Sequence, residues 1–135
     1  MQGKNVPALN FVAGTTIQPS TFVKVSTAAD YQCLPVTSTR DQIIGIAYEG
    51  SRKPPVTGAT GEAANQDDPL AVYGVGQTCY LTLGTTVTHG QVLMTDANGC
   101  GIPSTGAGTY YGAVCEQSGV AGNKVKVTVL IGIVQ

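Results

Sequence analysis

The chain has 135 residues, with seven Lys and Arg against eight Asp and Glu, a formal charge of −1 and 11% charged side chains. That near-neutral balance argues against a nucleic-acid binder, which needs a clustered positive surface. Eighteen Gly, seven Pro and no Trp disfavour a helical bundle, because Gly and Pro are the poorest helix formers, and leave one β-rich domain with a surface of Thr, Ser, Gly, Gln and Asn as the expectation.

The opening residues Met1-Gln2-Gly3-Lys4-Asn5 are polar and lack the apolar run of a signal peptide. No window approaches the roughly 18 apolar residues of a membrane helix. Residues 1–10 read as an arm, in which Val6, Pro7 and Leu9 can lie against a neighbour, and residues 11–135 as a single β domain. Short period-two runs then follow in order. They are Phe22-Val23-Lys24-Val25-Ser26, Ile43-Ile44-Gly45-Ile46-Ala47, Leu70-Ala71-Val72-Tyr73-Gly74-Val75 and Thr78-Cys79-Tyr80-Leu81-Thr82-Leu83. Further on come Gln91-Val92-Leu93-Met94, Tyr110-Tyr111-Gly112-Ala113-Val114-Cys115 and Lys124-Val125-Lys126-Val127-Thr128-Val129-Leu130-Ile131. In the last run Val125, Val127, Val129 and Ile131 share one face, and Lys124, Lys126 and Thr128 the other.

Turn chemistry separates these runs as a small jelly-roll-like β-barrel or sandwich requires. Asn98-Gly99 predicts a tight hairpin, since both residues tolerate positive φ. Gly74 and Gly76 mark a strand-to-strand connection, and residues 50–69, with Pro54-Pro55 and few large apolar residues, an exposed loop. Thr15 to Val23 resembles Thr85 to Leu93 at an offset of 70, and the match resumes at 67, where Cys33 meets Cys100, Gly45 meets Gly112 and Glu49 meets Glu116. The pattern predicts a duplicated β unit, with halves at about 15–50 and 85–117, each reading as turn, strand, acidic or polar hairpin, strand and an apolar-Gly-apolar strand.

Catalytic motifs are poorly supplied. His89 is the one histidine and falls at a turn position matching Pro19, without the oriented base that a nucleophile needs. Asp67 and Asp68 are adjacent in a polar loop, where solvation rather than general acid–base work is expected. Asp96-Ala97-Asn98-Gly99 starts like a calcium loop, but Ala107 stands where the bidentate Glu belongs. Cys33, Cys79, Cys100 and Cys115 show no CxxC spacing; reduced, mostly buried thiols are expected, and no metal or other cofactor. The residues therefore point to a non-enzymatic binding or structural protein.

Ile17-Gln18-Pro19-Ser20-Thr21-Phe22-Val23-Lys24, the hairpin at Thr27-Ala28-Ala29-Asp30 and Ile43-Ile44-Gly45-Ile46-Ala47 resemble the first half of tailed-bacteriophage capsid decoration, or head cement, proteins. The stretch from Thr85 to Leu93, the hairpin at 95–99, Tyr111-Gly112-Ala113-Val114 and the closing run from Val125 to Ile131 resemble the second half. Pro19-Ser20 departs from the Pro-Gly common in that family, and residues 50–69 form a long loop. The resemblance implies a structural protein on the outer surface of a phage head, assembled in the bacterial host cytoplasm. Its implied partners are the major capsid protein, which it bridges, and further copies of itself, a trimer being favoured over a dimer. No nucleic acid or membrane enters this picture. Val6, Leu9, Phe11 and the adjacent basic pair Arg52 and Lys53 are the candidate capsid or oligomer contacts. A carbohydrate-binding or host-adhesion module is the alternative, and a small hydrolase using His89 with Cys100 or Cys115 a third reading.

Overall fold

The computed structural model describes residues 9–48, 64, 66–106 and 108–134. Among them it is all β, with ten strands: β1 (Leu9–Ala13), β2 (Phe22–Val25), β3 (Gln32–Pro35), β4 (Gly45–Ala47), β5 (Pro69–Tyr73), β6 (Thr78–Thr82), β7 (Val92–Thr95), β8 (Gly101–Pro103), β9 (Tyr110–Cys115) and β10 (Lys124–Ile133). Strands β1 to β5 close into a barrel in the order β1-β3-β2-β4-β5, and β6 to β10 form a sheet in the order β6-β10-β9-β7-β8.

The two orders are the same cycle. Both units pair their second strand with the third and fourth, the fourth with the fifth and the fifth with the first. The registers agree residue by residue. Val12↔Pro69 in the first unit corresponds to Thr82↔Lys124 in the second, and Val23↔Pro35 to Leu93↔Pro103. The three positive-φ positions of the first unit coincide with positive-φ glycines of the second. Ser20 (56°), Tyr31 (57°) and Asp67 (69°) stand where the second unit has Gly90 (88°), Gly99 (81°) and Gly122 (87°). The first unit thus places side chains in a backbone region that favours glycine.

Side-chain alternation explains the strands that were expected. In β10, Val125, Val127 and Val129 are buried while Lys124 and Lys126 are exposed, until a bulge between Val129 and Gly132 breaks the register. Fifteen buried residues drawn from both units form one core cluster, in which Phe22, Val36, Ile43, Ile46 and Tyr73 meet Leu81, Leu93, Ala113 and Val127. A second cluster fills the barrel with Ala13, Ile17, Val23, Cys33, Ala47, Ala64, Leu70 and Val72.

One strand departs from expectation: β1 begins at Leu9, inside the segment read as an arm. β3 and β8 follow the two hairpins, as the duplicated pattern predicts, and are short strands ending in Pro35 and Pro103; Pro is tolerated at such ends because no ladder donor is required there. The repeat offset beyond the first hairpin is 68 rather than 67, since Cys33, Leu34 and Pro35 occupy the places of Gly101, Ile102 and Pro103. Gly45 accordingly matches Ala113, while Gly112 falls in a bulge between Leu93 and Met94. Asn98-Gly99 lies in a longer loop than a two-residue hairpin. There Asp96 Oδ1 accepts from the amides of Asn98 at 2.8 Å and Cys100 at 2.9 Å, an Asx-type turn. The Gly74–Gly76 connection is as expected: Gly76 has φ 89°, and Gln77 Oε1 accepts from the Gly74 amide at 2.8 Å. Most of the loop at 50–69 lies outside the described residues.

Candidate functional site

The informative surface is the one at which the two units meet, together with its counterpart on the first unit. Phe22, Thr21 and Ser20 lead into β2, and their backbone also reaches the second unit. The Phe22 amide donates to Gly99 O at 2.8 Å and the Thr82 amide donates to Ser20 O at 2.8 Å. The segment is therefore wedged between β6 and the β7–β8 hairpin. Two glycines make room for it. A Cβ on Gly112 would collide with the Phe22 ring, and one on Gly99 would sit 3.1 Å from Phe22 O and 3.2 Å from Thr21 Cβ. Below the wedge the second unit closes through a single parallel bridge, Leu83↔Gly101.

The first unit closes on itself at the same place. Val12 and Tyr31, the counterparts of Thr82 and Gly99, bond directly, with the Val12 amide donating to Tyr31 O at 2.7 Å. Parallel pairing of Val12↔Gln32 and Ala13↔Cys33 completes the barrel. The surface above that seam carries Tyr31, 78% exposed, with Val12 and Val25 also exposed. A cleft of about 180 Å³ beside it is lined by Lys24, Val25, Gln42 and Ile44, the counterparts of Met94, Thr95, Tyr110 and Gly112. Conversely Phe22 is fully buried, while its counterpart Val92 is 37% exposed.

The loops flanking the cleft differ in charge. Lys24 Nζ contacts Asp41 Oδ2 at 2.9 Å, and that oxygen also accepts from the amides of Thr37 at 2.9 Å and Ser38 at 3.1 Å. Burial works to raise the Asp41 carboxyl. The Thr37 amide, the Lys24 ammonium and the Ser38 amide outweigh it and hold the group below the ordinary carboxylate value. The corresponding trio of the second unit is neutral: Thr109 Oγ1 donates to Thr105 O and Gly106 O at 2.9 and 2.7 Å, and the Thr105 amide lies 3.3 Å from Met94 Sδ.

Of the contact candidates read from the sequence, Val6, Arg52 and Lys53 lie outside the described residues. The backbone of Leu9 pairs with Val72, and Phe11 pairs with Leu70, its half-buried ring packed against the barrel cluster. His89 is exposed in a turn, where Ser118 Oγ accepts from its amide at 3.0 Å and lies 3.1 Å from ring Nδ1. The four cysteines are free, and Cys33, Cys79 and Cys115 are buried. Burial pushes the Cys33 thiol up to about 11; Cys100 is also raised, by burial and then by the Asp96 charge. No cluster of three or more His, Cys, Asp or Glu that could hold a metal occurs among the described residues, and no helix there is long and apolar enough to cross a membrane.

Sequence reasoning missed Val12, Tyr31 and Val92. The signal that finds them is unequal counterparts: Val for Phe is already visible at the offset of 70, and Tyr for Gly only once the repeat is aligned at 68.

No protein-family model matches the chain, and no curated protein does. Among solved structures it is similar to the N base of the head fiber protein gp8.5 of bacteriophage phi29. Identity is 13%, and the match covers 90% of this chain and 92% of that one at a TM-score of 0.56. The likeness therefore extends over both units and shows a shared fold.

Proposed function

We propose that this chain is a structural protein of a bacteriophage head, displayed on the outer capsid surface, where it decorates the shell and bridges major capsid protein subunits. The observation that carries the reading is the whole-chain fold likeness to the base of a phage head fiber. The resemblance of the segments at 17–47 and 85–131 to head cement proteins supports it independently. The physics is compatible. A decoration protein performs no chemistry; it adds contacts that rupture of a pressurised shell must break, and many weak contacts repeated by symmetry hold through avidity. A chain with only 11% charged residues places few desolvation penalties in the way of such contacts. In this reading the protein needs no cofactor, assembles in the host cytoplasm and acts as a homo-oligomer.

Quantitative mass spectrometry of gradient-purified virions tests this. The expected result is a copy number of similar order to the major capsid protein. A handful of copies per particle would replace the bridging role by a tail or fiber role, and absence from the virion would overturn the proposal.

A further inference from the structure

The two units of this chain offer the same docking slot, and one of the slots is already filled. The second unit receives Ser20, Thr21 and Phe22 through two backbone hydrogen bonds and an apolar ring seated over Gly112. The first unit has the same strands in the same register, and its slot is lined by Val12, Val25, Tyr31 and Ile44, exposed or partly so. The segment matching Ser20–Phe22 in the second unit is Gly90, Gln91 and Val92, and all three of its residues are exposed. The chain therefore carries one unused plug and one unused slot, at opposite ends of a single kind of contact.

We propose that copies of this chain associate head to tail, the segment at residues 90–92 of one copy seating in the first-unit slot of the next. This deepens the homo-oligomer of the reading above by naming its surface. The contact within the chain is heterologous, since the first unit's segment enters the second unit while residues 90–92 stay exposed. Repeated between copies, such a contact closes into a ring or runs on as a filament.

The residues exchanged at this contact compensate in volume. Inside the chain a large ring, Phe22, sits over Gly112; between copies the smaller Val92 meets the larger Ile44. Seating opens the single Val12–Tyr31 bond and replaces it with two, from the Val92 amide to Tyr31 O and from the Val12 amide to Gly90 O. Tyr31 carries a Cβ where Gly99 has none. From the distances at Gly99, 3.1 Å to Phe22 O and 3.2 Å to Thr21 Cβ, the incoming segment shifts by a few tenths of an ångström to admit it. The Tyr31 ring then lies across the seated segment, which accounts for a large aromatic held 78% exposed in a backbone conformation suited to glycine.

The full chain carrying both Gln91→Cys and Tyr31→Cys tests this in free solution, without capsids. Thr21 Cβ and the Gly99 position lie 3.2 Å apart within the chain, so their counterparts on two copies come within reach of a disulfide, whose Cβ atoms are about 3.5–4.5 Å apart. Mild oxidation is expected to give a ladder of covalent oligomers on non-reducing gels. Equimolar Gln91→Cys and Tyr31→Cys chains mixed together are expected to stop at covalent dimers, and each alone to match oxidised wild type. Both positions are exposed, and the one side-chain bond given up is that from the Thr88 amide to Gln91 Oε1 in a surface turn, so an unchanged circular dichroism spectrum is expected. Val92→Glu is expected to weaken self-association in native mass spectrometry by at least about tenfold with an unchanged circular dichroism spectrum. A chain that stays monomeric at every concentration would overturn the proposal, as would single variants that cross-link to themselves. Either result leaves the virion copy number, and so the capsid reading, to be decided separately.

Discussion

The two halves of this chain share strand order, register and turn positions, yet they are used differently. The second unit is open along one seam and holds part of the first unit there; the first unit is closed by its own Val12–Tyr31 bond. The second unit has glycine where the first unit's segment comes near, Gly99 against its backbone and Gly112 against the Phe22 ring, while the first unit has Tyr31 and Ile44 at these positions. One fold thus serves as receiver in one copy and plug in the other, and the difference lies in a few side chains at equivalent positions.

The largest expected effect breaks the equivalence of Phe22 and Val92. Phe22→Ala removes a fully buried ring from the core shared by both units and is expected to cost about 3–5 kcal/mol in urea unfolding. Val92→Ala, at a partly exposed site, is expected to cost less than about 1 kcal/mol. Equal losses would mean that the two residues do the same job.

Gly45 and Ala113 give the next contrast. A Cβ on Gly45 would collide with the carbonyl oxygen of Tyr73 and lie 2.6 Å from Val72 Cγ1, whereas the matching position of the second unit already carries Ala113. Gly45→Ala is expected to destabilise by about 1–3 kcal/mol through overpacking, a loss read as a lower denaturation midpoint at unchanged m-value.

The charged loop of the first unit supplies a pH signature that the neutral loop of the second lacks. Asp41→Asn is expected to cost about 1 kcal/mol or less at pH 7, because a charge-assisted acceptor of two amides and an ammonium is lost at a site that water screens. The folded state holds the Asp41 carboxyl below its ordinary value of 3.8. Its contribution is therefore fully present above the unfolded value and fades as pH falls through the folded one. The gap between wild type and variant should therefore narrow progressively as pH falls below 3.8. A gap unchanged at pH 3 would remove the carboxylate from the explanation.

The smallest effect sits among the turns. Gly122→Ala and Gly90→Ala place a side chain at φ 87° and 88° and are expected to cost about 1–2 kcal/mol each. Asp67→Gly, at the position matching Gly122, is expected to gain no more than about 0.5 kcal/mol, since the added freedom of the unfolded chain offsets much of the relief. Differential scanning calorimetry resolves both signs.

How much of this was legible in the sequence depended on how local its cause was. β10 alternates Lys and Val over enough residues to declare its faces, and β6, β9 and the Gly76 turn were equally plain. β1 is five residues long, and pairing with β3 and β5 across the barrel rather than local pattern makes it a strand; β3 and β8, four and three residues long, are marked by the hairpins before them. The duplication was visible in composition, but matching Cys33 to Cys100 set it one residue out; only the paired Pro35 and Pro103 correct it. The slot itself was not legible at all. Whether Tyr31 or Val92 is covered depends on where the other unit sits, and no run of sequence encodes that by itself.

Native-state hydrogen exchange at the amides of Phe22 and Thr82 tests the junction most directly, because these two donors cross from one unit to the other. If the units form one cooperative body, both amides exchange only through global unfolding, with the free energy given by denaturation and matching that of Val127 in the shared core. Exchange of Phe22 and Thr82 at loop-like rates while Val127 stays protected would show that the seam opens freely, and would contradict the filled slot on which the difference between the two units rests.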